Sequence, residues 1–245
     1  MIRTLIWFSY FWGFLFWHFP AIRKARVEAE NLPLAERDEL IASLPRRWAR
    51  TLVKLTGSTV EVFGEEHIPK DRPVLFVSNH QGNFDVPILI GFIHKPKGFI
   101  SKIEVKKMPI IGSYMEAMKC VFIDRKNKRQ SVKAIQEGIK YLKDGHSLVI
   151  FPEGTRSKGK EIGEFKGGSF RLAVKSEVPI IPVTINGSYQ IMEKNGFIMK
   201  PANVKVYVSD PIFIDDVKHL SMDELGQYVK TIIAKNLKNP GNSLK

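Results

Sequence analysis

Two apolar stretches of strand-like composition, residues 74–77 and 148–151, each lead directly into a short polar block. The first block runs from residue 78 to residue 85, and the second runs from residue 152 to residue 157. In open α/β sheets, ligands bind at the carboxyl ends of the strands. The pattern therefore predicts that both blocks lie at one edge of a sheet and form a binding site there.

From residue 59 onward, strand-like and helix-like segments alternate along the chain. The predicted strands are residues 59–63, 74–78, 98–101, 120–123, 147–151, 180–186 and 204–208. The predicted helices are residues 86–92, 110–118, 131–142, 169–175 and 222–237. Such alternation indicates an α/β fold in which a mostly parallel or mixed sheet is covered by helices on both faces. We therefore divide the chain into a main domain, residues 58–245, and an N-terminal segment, residues 1–57.

His80 lies five positions before Asp85 in the first polar block. Histidine is the usual general base near neutral pH, because its unperturbed pKa is about 6.5. A carboxylate that accepts the ring N–H fixes the tautomer and stabilises the imidazolium. Asp85 could instead act as a helix N-cap, with Pro87 in the first turn, and both roles are compatible.

The second block and the ends of the neighbouring strands offer groups that suit an anion. Gly154 supplies a flexible backbone, Thr155 a hydroxyl and Arg156 a guanidinium, which can contact a phosphate through two hydrogen bonds. Lys102 and Arg125 follow two other predicted strands. A glycine-rich stretch at residues 166–169 then begins a predicted helix, whose amides could also hold an anion.

At these residues the chain resembles the glycerolipid acyltransferase family, which includes the bacterial 1-acylglycerol-3-phosphate acyltransferases. Four blocks match the motifs of that family in order, namely residues 79–85, 121–125, 151–157 and 178–182. The resemblance implies that His80 and Asp85 are catalytic and that the acceptor phosphate is bound by Arg125, Glu153, Gly154 and Arg156, to which the residue pattern adds Thr155 and Lys102. It also implies that the apolar fourth block serves the acyl donor through Val178, Pro179, Ile180 and Pro182.

The activity that the resemblance implies is acyl transfer from a thioester to the 2-hydroxyl of lysophosphatidic acid, which gives phosphatidic acid in phospholipid biosynthesis. The expected cosubstrate is an acyl thioester of acyl-carrier protein or of coenzyme A, with no other cofactor and no metal. Three other acceptors stay open: glycerol 3-phosphate, a larger lysophospholipid and a lipid A precursor. A lipid-binding protein without turnover is the alternative from a different class.

The net charge favours anionic partners. The chain of 245 residues carries 38 Lys and Arg against 25 Asp and Glu, which gives a formal charge of +13. No helix-turn-helix, RNA-binding or zinc-finger motif accompanies this charge, so acidic lipids and phosphorylated substrates are expected rather than nucleic acid. A single cysteine, Cys120, excludes an intrachain disulfide and lies in an apolar strand, where a buried thiol is expected.

An aromatic-rich segment near the N-terminus indicates contact with a membrane. Residues 5–19 contain no Asp, Glu, Lys or Arg, and their one histidine, His18, is taken as neutral. A helix of this length reaches about 22 Å, which is shorter than a hydrocarbon core of about 30 Å, so the segment is expected to lie in one leaflet. The alternatives are a signal peptide and a tilted span that begins near Ile2.

A second amphipathic helix is predicted at residues 45–55, after a break at Pro33. Its basic residues, and three more between residues 23 and 26, would contact anionic head groups. Together the two helices predict a membrane-associated hairpin that holds the protein at the cytoplasmic face of the cell membrane as a monotopic protein.

Overall fold

The computed structural model describes residues 1–108 and 110–238 of the chain. Its helices, numbered in chain order, are α1 (Ile2–Ala29), α2 (Leu34–Leu55), α3 (Asp85–Phe92), α4 (Ile103–Lys106), α5 (Ile111–Ala117), α6 (Lys128–Lys143), α7 (Arg171–Ser176), α8 (Ile214–Val217) and α9 (Met222–Lys238). The five helices predicted in the main domain are present, with ends that shift by a few residues. Residues 239–245 of that domain lie outside the described part of the chain.

Seven strands form one sheet in the described residues. They are β1 (Thr59–Phe63), β2 (Leu75–Ser78), β3 (Gly98–Lys102), β4 (Val121–Ile123), β5 (Leu148–Ile150), β6 (Ile180–Asn186) and β7 (Asn203–Val208). The spatial order is β1-β7-β6-β2-β5-β3-β4. Only β6 and β7 are antiparallel among these neighbouring pairs, so the sheet is mixed, as predicted.

Two hydrophobic layers cover the sheet, one on each face. Phe76 of β2 packs in the layer that also contains residues of α2 and α3. Leu75 and Val77, which point to the opposite face, pack with residues of α6, α7 and α9. Because β2 is buried between β6 and β5, its carboxyl end is held rigidly at the centre of the sheet.

Helix α1 is longer than predicted. It runs without interruption through Pro20 and the basic residues beyond it, and its 28 residues reach about 42 Å at 1.5 Å per residue. By length and composition it could therefore cross a membrane, so the argument that the segment is too short to span was wrong. The uncharged stretch is only part of the helix, because a helix continues past basic side chains that remain in water.

Helix α2 also begins earlier than predicted, at Leu34 instead of Pro45. Pro45 lies inside the helix, and the residues before it bury Ile41 on the same apolar face. The predicted break at Pro33 is confirmed, because this proline is the residue that caps α2.

The two N-terminal helices pack on the rest of the protein. The indole N–H of Trp7 donates to the carbonyl of Leu52 (2.9 Å), and the Trp7 ring lies 5.6 Å from that of Phe84. Near the start of α1, the backbone N–H of Met199 donates to the hydroxyl of Thr4 (3.0 Å). The hairpin therefore shares the hydrophobic core of the domain that carries the polar blocks.

Candidate active site

His80 and Asp85 are in direct contact at the carboxyl end of β2. The distance between His80 Nδ1 and Asp85 Oδ2 is 2.6 Å. Because a carboxylate accepts, Nδ1 carries a proton, and the lone pair of the neutral imidazole is then on Nε2. In the described residues no group hydrogen-bonds to Nε2, and His80 lines a large cavity.

Asp85 is completely buried, and three donors satisfy its carboxylate. Besides the His80 ring, the backbone N–H of Gly82 donates to Oδ2 (2.8 Å) and the hydroxyl of Ser188 donates to Oδ1. A buried carboxylate needs such partners to remain charged. Asp85 is also the first residue of α3, whose cap is Phe84, so it does not serve as the N-cap.

The loop that carries His80 is fixed to β6 by buried amide side chains. Asn79 accepts from the backbone N–H of Ile185 (2.8 Å) and donates to its carbonyl (2.9 Å). Gln81 accepts from the backbone N–H of Gly187 (2.8 Å). The His80 ring stacks on Phe151, with centroids 4.1 Å apart. These contacts leave the imidazole little freedom to rotate.

Glu153 orders the site but does not line the cavity. Its two carboxylate oxygens accept from the backbone N–H groups of His80 (2.7 Å) and Gly163 (2.9 Å). Burial raises the pKa of this carboxyl, while the two backbone hydrogen bonds oppose the rise. The sequence allows Glu153 either to contact the acceptor or to order the cation cluster, and in the structure it joins the loops that carry those cations.

Two cationic side chains, those of Arg125 and Lys166, approach the turn at Gly154. A Cβ atom at this position would lie 3.4 Å from both Arg125 Nη1 and Lys166 Nζ, and the backbone has a φ of +70°. The positive φ is a conformation that glycine adopts without the steric cost that other residues pay. Arg125 donates to the Gly154 carbonyl, and Arg156 donates to the side chain of Asn83. Burial lowers the pKa of Arg125.

Only some of the cations near Gly154 were predicted from the sequence. Lys102, the last residue of β3, and Thr155 also line the cavity. The helical segment predicted after residues 166–169 begins with a short 3₁₀ turn, Gly167–Phe170, that leads into α7. The fold also brings the Lys166 ammonium next to Gly154.

A cavity of about 790 Å³ connects these groups with an apolar region. In the described part of the chain, six basic side chains line it and no carboxylate does, the six being Lys102, Arg125, Arg156, Lys166, Arg171 and Lys175. Its apolar wall is formed by side chains of the N-terminal hairpin, α3, α5 and the adjacent strands, which include Leu15, Trp48, Val86, Ile90, Phe99, Tyr114, Met115 and Met118. The arrangement suits a ligand with an anionic head and a long apolar chain.

Two polar groups in the apolar wall have no hydrogen-bond partner in the described residues. They are Nε1 of Trp48 and the hydroxyl of Tyr114.

Burial raises the pKa of Tyr114 to about 12 and that of the Cys120 thiol to about 12. Cys120 is therefore a protonated, unreactive thiol at neutral pH, as the sequence predicted.

The four residues predicted to serve the acyl donor lie elsewhere. Val178, Pro179 and Ile180 are buried at the start of β6, and Pro182 pairs with Val77 inside the sheet. None of them lines the cavity, so their position does not support direct contact with a substrate. An apolar run in sequence does not distinguish a buried strand from the wall of a tunnel.

No cluster of three or more metal-binding side chains occurs in the described residues. The geometry places an oriented imidazole next to a set of cations. An imidazole held in this way can remove a proton from a hydroxyl whose phosphate the cations bind.

Comparison with known proteins agrees with this geometry. The chain is 36% identical over 176 residues to a probable 1-acyl-sn-glycerol-3-phosphate acyltransferase of Mycoplasma pneumoniae, a match that covers 70% of this chain and 65% of the relative. It is 33% identical over 217 residues to the corresponding protein of Mycoplasma genitalium, which covers 84% of this chain and 80% of the relative. The matched part of the chain thus spans just under two thirds of the length of the first relative and about four fifths of the length of the second.

The fold also matches a solved structure. The crystal structure of the 1-acyl-sn-glycerophosphate (LPA) acyltransferase PlsC from Thermotoga maritima superimposes with a TM-score of 0.81 at 29% identity, over 97% of this chain and 95% of that one. The sequence model of the acyltransferase family matches residues 59–186, which include both polar blocks and β6. This chain therefore belongs to the acyltransferase family.

Proposed function

We propose that this protein transfers an acyl chain from an acyl thioester to the 2-hydroxyl of 1-acyl-sn-glycerol 3-phosphate and so forms phosphatidic acid. The observation that carries the proposal is the free Nε2 of His80, which faces a cavity with cations and an apolar wall. The names of the relatives support the same substrate. The product would enter phospholipid biosynthesis.

In the proposed mechanism, His80 acts as the general base. Nε2 removes the proton of the acceptor hydroxyl while its oxygen attacks the thioester carbonyl. Asp85 stabilises the imidazolium that results, because its buried carboxylate accepts from Nδ1. The tetrahedral intermediate then collapses, the C–S bond breaks, and the thiolate leaves and takes the proton from the imidazolium. No acyl-enzyme is required.

The acceptor phosphate is proposed to bind at the turn around Gly154. Arg125 and Lys166 approach this turn most closely, and Lys102, Thr155 and Arg156 line the same cavity. A phosphate monoester carries about two negative charges at neutral pH and forms strong charge-assisted hydrogen bonds with guanidinium groups. Glu153 would act indirectly, as the residue that positions the His80 loop relative to this turn.

The phosphate site can be tested with Arg125→Ala. Losing a charge-assisted contact costs about 1.5–3 kcal/mol, so the KM for the phosphorylated acceptor should rise by roughly 10- to 100-fold. The KM for a dephosphorylated acceptor, 1-acylglycerol, should be high in the wild type and equally high in the variant. A variant that loses the same affinity for both acceptors would contradict the proposed site.

The donor is proposed to be a thioester of acyl-carrier protein or of coenzyme A, with no cofactor beyond this cosubstrate. The apolar part of the cavity, which α1, α2, α3 and α5 help to form, offers space for an acyl chain. Mass spectrometry of the products formed from lysophosphatidic acid and a mixture of thioester donors tests the overall reaction. Absence of phosphatidic acid with every donor would refute it.

We further propose that the hairpin, residues 1–57, holds the domain of residues 58–245 at the cytoplasmic face of the cell membrane. Apolar side chains on one side of α1 are exposed, including Leu5, Ile6, Phe16 and Trp17. An exposed apolar stripe of this kind is typical of a surface that contacts lipid. The basic residues after the apolar segment support a cytoplasmic, anionic leaflet.

The packing of α1 supports a position in one leaflet. Thr4, Trp7, Leu15, Ile22 and Ala29 contact the protein or are buried along the whole length of the helix. A helix that crossed the bilayer alone would leave this face without its protein partners. The described contacts therefore favour a monotopic arrangement in which the opposite face of α1 lies in lipid.

A further inference from the structure

Residues from both faces of the sheet line the cavity, and the part lined by α6 and by the segment that leads into α7 is called the second arm. Its base is formed by Ile100, Ile123 and Ile150, which pack against the α6 and α7 side of the sheet. Its sides are formed by residues of α6 and of the segment that leads into α7, namely Ser131, Val132, Ile135, Gln136, Ile139, Gly168 and Ser169. The hairpin contributes no residue to this arm.

Two cations lie at the rim of the second arm. Arg171 and Lys175 are one turn apart on α7, are exposed and line the cavity. Within the described residues, neither forms an ion pair or a hydrogen bond through its side chain. Like charges one helical turn apart repel each other, so this pair is poised to bind an anion.

The charge of the acceptor does not account for this pair. One phosphate monoester carries about two negative charges, which Arg125 and Lys166 match where they meet at the Gly154 turn. Arg171 and Lys175 are additional, and they lie on a different element. A second anionic group is therefore expected in the same cavity.

We propose that the second arm binds the phosphopantetheine part of the thioester donor, with its phosphate between Arg171 and Lys175. This inference rests on the proposed function. Phosphopantetheine combines an apolar chain, two amides and a phosphate, which match the isoleucine base, the polar side chains Ser131, Gln136 and Ser169, and the cationic rim. An acyl chain alone has no polar or anionic group that could contact these polar and cationic side chains.

The position of the arm relative to the base agrees with this assignment. Ile150, at the base of the arm, directly precedes Phe151, which stacks on the His80 ring. A donor that enters along α6 and α7 would therefore bring its sulfur to His80. Its acyl chain could then continue into the apolar region on the other face of the sheet, beside Val86 and Ile90.

Coenzyme A and acyl-carrier protein both carry the phosphopantetheine group, so the assay compares the two as donors. The test is the double variant Arg171→Gln/Lys175→Gln, assayed with acyl-coenzyme A, acyl-carrier protein and an acyl-pantetheine thioester that lacks the phosphate. We expect the KM for both phosphorylated donors to rise at least tenfold, which corresponds to about 1.4 kcal/mol. The KM for acyl-pantetheine and the KM for the acceptor should not change.

A matched control is the double variant Lys140→Gln/Lys143→Gln. It removes the same charge from exposed positions of α6 that do not line the cavity, and its kinetics should equal those of the wild type. The charge-preserving variant Arg171→Lys/Lys175→Arg should retain most of the donor affinity. The ratio of wild-type kcat/KM for the two phosphorylated donors identifies the preferred source of the group.

Three outcomes would overturn the inference: an unchanged KM for both phosphorylated donors, a rise confined to the acceptor, and a rise with the carrier protein alone, which would indicate contact with the protein surface. Calorimetric titration with 4′-phosphopantetheine separates this inference from the proposed function. Binding that the wild type shows and the Gln variant loses would support the arm even if no acyl transfer to lysophosphatidic acid were detected. Equal binding by both proteins would refute it.

Discussion

One ring nitrogen of His80 is held by Asp85, and the other faces the cavity. Replacing His80 with Ala should lower kcat by about 10² to 10⁴, which is the usual contribution of a general base. Asp85→Asn should lower kcat by a similar factor, because it removes the charge that stabilises the imidazolium. Steady-state kinetics with lysophosphatidic acid measures both effects.

Ser188→Ala is the control that separates the positioning of Asp85 from the proton transfer by His80. It removes one of the three donors to the Asp85 carboxylate but leaves His80 in contact with Asp85. We expect a smaller loss of kcat than for either of the other two variants. If His80→Ala retained wild-type turnover while folded, another residue would have to be the base.

Lys97 is a buried amine whose charge opposes folding. Its Nζ donates to the carbonyl of Ile93 (2.8 Å), and burial lowers its pKa from 10.5 to about 7. Between those values the unfolded chain binds more protons than the folded protein, so this residue makes stability rise with pH in that window. The burial cost is fully present below about pH 7.

Lys97→Met should therefore stabilise the protein most at low pH. The difference in unfolding free energy between the variant and the wild type should be largest near pH 6.5 and should shrink as the pH approaches 9.5. Urea denaturation at several pH values measures it, with the exposed Lys140→Met as the control. A difference that does not vary with pH would mean that Lys97 is charged in the folded protein throughout.

At the scale of single residues, the sequence predicted those groups whose neighbours lie close along the chain. His80 and Asp85 are five positions apart, and Arg125, Gly154 and Arg156 follow strands that could be recognised. Ser188 could not be assigned to Asp85, because only the folding of β6 beside β2 brings them together. For the same reason, the sequence allows Glu153 either to contact the acceptor or to order the cation cluster, since its two backbone donors are not visible in sequence.

At the scale of the elements, Gly91 of α3 lies directly against the backbone of α2. A Cβ atom at Gly91 would lie 3.1 Å from the backbone nitrogen of Arg50, whose Nε donates to the Gly91 carbonyl (2.5 Å). Gly91→Leu should force the helices apart and cost about 1–3 kcal/mol of stability, as overpacking usually does. Chemical denaturation measures the loss.

Gly13→Leu is the matched control for this change. Gly13 lies in α1 and has no atom within 4 Å of the position of a Cβ. Leucine also has a higher helix propensity than glycine, so this variant should be as stable as the wild type or more stable. Equal destabilisation by both substitutions would mean that the contact between α2 and α3 is not the cause.

The elements of the sheet could be predicted because each strand has a strong β-rich pattern and clear ends. The N-terminal helices were predicted too short, since the sequence argument followed the apolar pattern and stopped where charges began. Packing decided their length, as Ile22 and Ala29 are buried after the basic residues and Ile41 is buried before Pro45. Tertiary contacts of this kind are not encoded in local composition.

For the whole molecule, the distribution of apolar and basic surface determines how it binds a membrane. Deleting residues 1–19 would be a poor test, because Trp7 belongs to the main core and Leu15 lines the cavity. Exposed positions of α1 avoid this difficulty. Leu5, Ile6, Phe16 and Trp17 are each more than half exposed, at 70%, 51%, 62% and 83%, so they can be changed without altering the core.

Replacing these four residues with Ser should weaken binding to anionic vesicles while sparing the chemistry. The basic residues would still attract acidic lipid, so we expect residual binding at low salt that disappears near 1 M salt, where the screening length is about 3 Å. Vesicle co-sedimentation at both salt concentrations measures this, and turnover of a dispersed short-chain acceptor should stay close to that of the wild type.

The unaltered protein should remain bound at 1 M salt and should be released by detergent, because apolar burial is not screened by ions. Arg23→Gln/Lys24→Gln is the complementary variant, since it should lower binding at low salt and leave binding at high salt intact. Tags placed at the two ends of the chain should be accessible from the same side of the membrane. Tags on opposite sides would mean that α1 crosses the bilayer, for which its 28 residues are long enough.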